Sequence, residues 1–145
     1  MKKIICSLLV ATILLTSCRY PEGNGASLRS PEYRIKNTWI LQHTYLNGTE
    51  IKETVVYANQ PGSYYQISYG GVFEVTTLVN NVIKSTFSGK WQLENNSKDL
   101  YLNFVLVDRT YNYTASIKYL SSSEMRYEYT DEDGNKWRLI FSSVY

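Results

Sequence analysis

A thiol at position 18, a single imidazole, a run of carboxylates at 131–133 and fourteen tyrosines are the chemically capable side chains of this 145-residue chain. His43 has no second histidine with which to share a metal. Strand alternation places it on an inner face with Glu53 of the next strand. Two readings follow: a polar spot in a ligand cavity, or a hydrogen-bonded core histidine. Asp131-Glu132-Asp133-Gly134-Asn135 has the acidic character of a calcium loop. Its glycine comes too early, however, and Ser142 stands where a closing Glu is required, so a hairpin turn accounts for every residue. No Gly-x-Ser-x-Gly elbow is present. The carboxylate pairs, Glu50 with Glu53 and the Asp131 cluster, sit on no apolar strand end that would raise a pKa. The chain therefore reads as a non-enzyme without metal or cofactor.

The thiol has a specific context. Met1-Lys2-Lys3 is cationic, and an apolar run from Ile4 to Leu15 follows, too short to span a bilayer, which takes about 20 apolar residues. Leu15-Thr16-Ser17-Cys18 then resembles a bacterial lipobox. The resemblance implies a signal peptide over 1–17, cleaved before Cys18, and a lipid anchor on the Cys18 sulfur. Arg19 rather than Asp follows the cysteine, a pattern that resembles outer-membrane sorting and leaves the leaflet open. Residues 18–34 hold Pro21, Gly23, Asn24, Gly25, Ser27, Ser30 and Pro31 and read as a flexible tether.

Removing the signal removes Lys2 and Lys3. The remaining thirteen basic residues then balance thirteen acidic ones. A neutral surface excludes nucleic acid, which needs a basic stripe, and excludes electrostatic binding to anionic lipid. Contact with the membrane runs through the anchor alone, and the domain is expected as a monomer. With Cys6 cleaved and Cys18 acylated, the domain has no disulfide, and core burial alone must hold residues 35–145.

The elements that position the side chains are strands. Tyr, Val, Ile, Thr and Trp dominate from Ile35, with turn residues at short intervals. The pattern predicts strands near 36–46, 50–58, 63–69, 72–79, 82–87, 90–94, 99–107, 110–120, 124–131 and 136–143. Residues 100–107 are apolar on both faces, which predicts a strand covered on both sides. Odd positions are the inward ones: Trp39, Leu41, His43 and Tyr45; then Ile51, Glu53, Val55 and Tyr57; later Tyr113, Ile117 and Tyr119, Tyr127 and Tyr129, Trp137 and Leu139. Directly opposed residues share a face, so the last hairpin needs an odd loop. Glu132-Asp133-Gly134 supplies it, with Gly134 left-handed, Tyr129 opposite Trp137, Tyr127 opposite Leu139 and Glu128 opposite Arg138. Inward tyrosines fit an amphipathic pocket wall. They equally fit plain strand propensity.

A lipobox, a polar segment and an early strand opening with Trp39 resemble the small lipocalin-like lipoproteins of bacteria. Gly89-Lys90-Trp91-Gln92-Leu93 and the hairpin from Glu124 to Phe141 add to the likeness. Lipocalins proper carry Gly two residues before the first Trp, where this chain has Asn37. The resemblance implies an all-β, antiparallel up-and-down barrel, here of about 8–10 short strands, with an apolar pocket and no shared catalytic residue. The expected function is binding of a small apolar or amphipathic ligand, with His43, Tyr45, Tyr57, Tyr113 and Tyr127 lining the cavity. The alternative is a non-enzymatic interaction module, an inhibitor or accessory subunit, working through loops at one barrel end.

Overall fold

A computed structural model describes residues 20–23, 28–54, 56–106 and 108–145, with Tyr57 described by its backbone alone. The strands are β1 (Thr38–Leu46), β2 (Thr49–Ile51), β3 (Tyr64–Ile67), β4 (Val72–Val79), β5 (Val82–Glu94), β6 (Asp99–Leu106), β7 (Arg109–Leu120), β8 (Glu124–Thr130) and β9 (Lys136–Ser143). Each pairs antiparallel with its neighbour, and β1 pairs with β9 to close the sheet. Closure pairs the first strand with the last and leaves only short stretches of edge exposed. β2 and β3 occupy the same side of β1, β2 along Thr44–Leu46 and β3 along Thr38–Ile40. They fill one position of an eight-stranded wall between them.

The stretch expected as a strand over 50–58 leaves the sheet after Ile51. It turns inward as a 3-10 turn, Tyr57–Asn59, whose Ala58 and Asn59 are buried. The backbone carbonyl of Asn59 accepts from Thr44 Oγ1 at 2.7 Å, and that of Ala58 accepts from the Tyr65 hydroxyl. The segment thus plugs the interior near the end formed by the 47–48, 80–81 and 131–135 turns.

The opposite end is capped by α1 (Pro31–Ile35). Ser30 Oγ accepts from the Tyr33 amide, and Pro31 takes the first turn, where its missing N–H costs nothing. Ile35 is fully buried, and its carbonyl accepts from Trp39 Nε1 at 2.9 Å. Arg34 Nη1 donates to the Leu120 carbonyl. The described parts of 18–34 are therefore built onto the barrel. Tyr20 is buried and donates to the Ser97 carbonyl at 2.9 Å, and the Glu22 amide donates to the Lys118 carbonyl at 2.9 Å. Residues 1–19, with the expected signal peptide and Cys18, lie outside the described residues.

The last hairpin has the expected register: Tyr129 opposite Trp137, Tyr127 opposite Leu139, Glu128 opposite Arg138. Its loop is closed by Asp131 N–H to the Asn135 carbonyl at 3.0 Å, and Gly134 has φ of +81°. The strands expected over 82–87 and 90–94 are not separated by a turn at Ser88-Gly89, and 82–94 is one strand. β6 alternates: Leu100, Leu102 and Phe104 are buried while Val105 is exposed, so this strand is not covered on both faces.

Bulges correct the parity at three places. In β1 the register to β9 slips between Leu41 and His43. Thr44 becomes the buried residue, and His43 and Tyr45 turn to the outer face. In β7 the slip between Ile117 and Tyr119 buries Leu120 and puts Tyr119 outside, against Arg126. A third lies in β5, where Lys84 is the extra residue opposite Thr77 and Leu78 of β4. One extra residue reverses every later side chain in a strand, because the side-chain period is two.

Candidate functional site

Between the plug and the mouth-end hairpins lies a cleft of about 170 Å³. Val56 and Ala58 form its floor on the plug side. Phe104, Tyr111 and Tyr113 come from β6 and β7, and Tyr129 and Trp137 from β8 and β9. Arg109, Asp131, Glu132 and Asp133 stand at the rim, where Arg109 Nη2 meets Glu132 Oε2 at 3.1 Å.

The rings are ordered by stacking. Tyr113 and Tyr129 lie 4.0 Å apart at 13°, and Tyr129 continues onto Trp137 at 6.4 Å. Phe104 stacks on Tyr111 at 5.1 Å. Trp137 is held by its Nε1 donating to Asp131 Oδ2 at 2.8 Å. Burial alone would raise the Asp131 carboxyl. Hydrogen bonds from Trp137, Asn135 and Asp133 outweigh it and hold the group below its ordinary value. The turn that resembled a calcium loop is thus a hairpin whose carboxylate already accepts from its own neighbours.

Polar atoms inside the wall are incompletely satisfied. Asn59 Nδ2 donates to the Tyr129 hydroxyl at 2.6 Å, while Asn59 Oδ1 has no partner. The hydroxyls of Tyr113 and Tyr127 lie close enough to interact, yet neither makes a hydrogen bond of ordinary geometry. Burial pushes the Tyr113, Tyr127 and Tyr129 phenols well above their ordinary value, and neighbouring phenols add to this. They remain neutral O–H donors throughout the working pH range.

The expected site residues separate. Tyr113 lines the cleft, and Tyr127 packs one layer deeper against Phe141. His43 is on the outer surface, its Nδ1 2.7 Å from Glu50 Oε1, with Lys52 Nζ 3.0 Å from the same oxygen. Hydrogen bonds from His43 and then Lys52 hold Glu50 below its ordinary value. The expected partner Glu53 is not involved. Tyr45 lines an open outer groove among Lys118, Glu128 and Arg138, whose charges pair with one another. The Tyr57 side chain lies outside the described residues. Asn59 escaped the sequence reading because Asn59 to Gly62 looks like a surface turn. Trp137, Tyr111 and Tyr129 carried the right parity and were not singled out. Among the described residues no group of His, Cys, Asp and Glu could hold a metal ion.

No protein-family model matches the chain, and no curated protein sequence does. A solved structure is similar: a lipocalin-like protein from Bacteroides uniformis, 16% identical, covering 77% of this chain and 99% of its own, with a TM-score of 0.54. The fold is lipocalin-like, an all-β closed barrel.

Proposed function

We propose that this chain is a non-catalytic binding protein that takes one ring-sized, partly apolar group into the mouth cleft. The carrying observation is the stacked wall of Tyr113, Tyr129 and Trp137, with Asn59 Oδ1 unpartnered and the Tyr113 and Tyr127 hydroxyls lacking a hydrogen bond of ordinary geometry. Volume sets the size of the guest. Drug-sized ligands occupy pockets of roughly 300–1,000 Å³. A cavity of roughly 150 Å³ holds a benzene ring. At about 170 Å³ the cleft suits a phenol- or indole-like group, alone or at the end of a larger molecule. Apolar burial against the rings supplies most of the binding, and the hydroxyls select a group that can both accept and donate.

The lipobox-like segment supports a membrane anchor at Cys18 and an outer-membrane location. The balanced charge supports a protein that binds no nucleic acid, and we take it as a monomer.

A second reading is favoured by one feature of β5. β4 pairs along its whole length, whereas β6 pairs with it only over Gly89–Glu94. The hairpin tip, with Val82 and Ile83 exposed, offers an unpaired edge to an extended peptide. A protein partner would bind that edge and place one aromatic side chain in the cleft.

Titration with phenol, indole and 2-naphthol, followed by Trp emission, tests the first reading. Saturable one-site quenching is expected, and Tyr113→Phe weakens it by about tenfold, the worth of one buried hydrogen bond. Absence of saturable binding by all three probes, or equal binding by Tyr113→Phe, overturns it.

A further inference from the structure

The capped end of the barrel carries an unexplained surface. Leu28 is fully exposed, and Tyr33, Tyr69, Val72 and Tyr145 are exposed as well, Tyr69 at 73%. Exposed residues at this end come from four separate pieces of chain: the approach to α1, α1 itself, the turn between β3 and β4, and the C-terminus after β9. Two of the rings carry cations: Arg29 lies 4.9 Å over Tyr33 and Lys36 4.2 Å over Tyr69. Several large apolar side chains exposed at one end of a barrel mark a surface that meets something other than water.

The position of Tyr20 says what that is. Tyr20 is buried at this end, its hydroxyl donating to the Ser97 carbonyl in the turn between β5 and β6 and its ring under Arg34. Cys18 is two residues earlier, so its Cα lies within roughly 7 Å of that of Tyr20. An anchor there has no slack, because the chain is already fastened to the barrel. From these facts we infer that the capped end lies flat on the phospholipid surface and that the cleft at the far end opens away from the membrane. The inference rests on the acylation of Cys18 in the preceding proposal.

The chemistry of the face fits a lipid interface. Tyr sits well at headgroup depth because its ring is apolar and its tip is polar. The Arg29 guanidinium and the Lys36 ammonium lie on these rings, and Lys36 is also paired with Glu32 at 2.6 Å. Glu32, Glu94, Asp99 and Glu124 at the same end offset the cations, so contact depends on apolar burial and the anchor, not on lipid charge. A zwitterionic surface is therefore sufficient.

Hydrogen exchange on the full-length protein purified from membranes and placed in phosphatidylcholine vesicles tests this, with Cys18→Ser protein as the free reference. Intact mass reads acylation on the same sample. Exchange at 28–36 and 69–72 is expected to slow severalfold on anchoring, and exchange at 80–83 and 131–135 to stay unchanged. Tyr33→Ser with Tyr69→Ser, both at exposed positions, is expected to abolish the slowing while the protein stays anchored. Acylated protein protected at the mouth, or at neither end, overturns the orientation and leaves the anchor standing. Unacylated protein overturns both. Dimers of Cys18→Ser protein that protect the same residues show that the face binds a second copy and overturn the lipid assignment.

Discussion

Tyr127 is a side chain that stability alone would replace. It is buried, its hydroxyl makes no well-formed hydrogen bond, and a phenylalanine would fill the same space. An unsatisfied buried hydroxyl costs about 1–3 kcal/mol. Tyr127→Phe is therefore expected to raise the denaturation midpoint, by up to about 1 kcal/mol in stability, and to weaken binding of phenol. A variant that loses stability would show the hydroxyl serves the fold. Its place on the inner face was legible because β8 has no bulge and alternates cleanly from Met125 to Tyr129. His43 and Tyr45 were misplaced for an equally local reason. The slip after Leu41 exchanges Thr44 for both, and Thr44 then serves the plug through Asn59. Gln42 and its neighbours carry no residue type that marks a bulge, so the pattern could not show one.

Glycine separates what is readable at the scale of an element from what is not. Gly134 was recognised because loop parity demanded a left-handed residue there. A Cβ at that position meets nothing within 4 Å, so only its φ of +81° resists substitution. Gly134→Val is expected to cost about 1–3 kcal/mol by denaturant unfolding, and an unchanged midpoint would refute the strain argument. Gly89 was misread as a turn because Ser-Gly is turn chemistry. Its real constraint comes from both neighbouring strands. It sits between Phe73 of β4 and Phe104 of β6, which meet edge to face at 5.9 Å. An added Cβ would lie 2.2 Å from the Asn103 carbonyl oxygen and 2.7 Å from Phe104 Cβ. Backbone cannot yield as a flexible side chain does, so Gly89→Ala is expected to cost about 3 kcal/mol or more. Equal stability of Gly89→Ala and the parent would show that the strands have room to part.

Across the whole molecule, the contacts least legible in the sequence are those of residues 20–23 on the approach to the barrel. Its proline, glycine and serine content describes a tether, but composition cannot see a partner far along the chain. Glu22 finds two. Its carboxylate accepts from Arg138 Nη1 at 2.8 Å and Nη2 at 2.9 Å, and from Arg126 Nη1 at 2.9 Å. The three bonds lay the segment across the outer face of β8 and β9. The Arg138 hydrogen bonds are the largest influence on Glu22 and hold its carboxyl below the ordinary 4.5; partial burial opposes them without prevailing. A carboxylate lowered on folding stabilises the fold above its unfolded pKa. That contribution fades as pH falls through 4.5 toward the lower folded value. The strap should then loosen before the barrel does, because the described buried residues include no carboxylate. The Glu22 amide, which donates to the Lys118 carbonyl, reports on this directly. Corrected for intrinsic rates, its hydrogen exchange is expected to accelerate below about pH 4.5 while Leu139 in the core stays protected. Glu22→Gln is expected to show the faster exchange at neutral pH and to lose the pH dependence. Exchange at Glu22 that ignores pH in the parent protein would mean that the Lys118 bond and the buried Tyr20 hold the strap without the ion pairs.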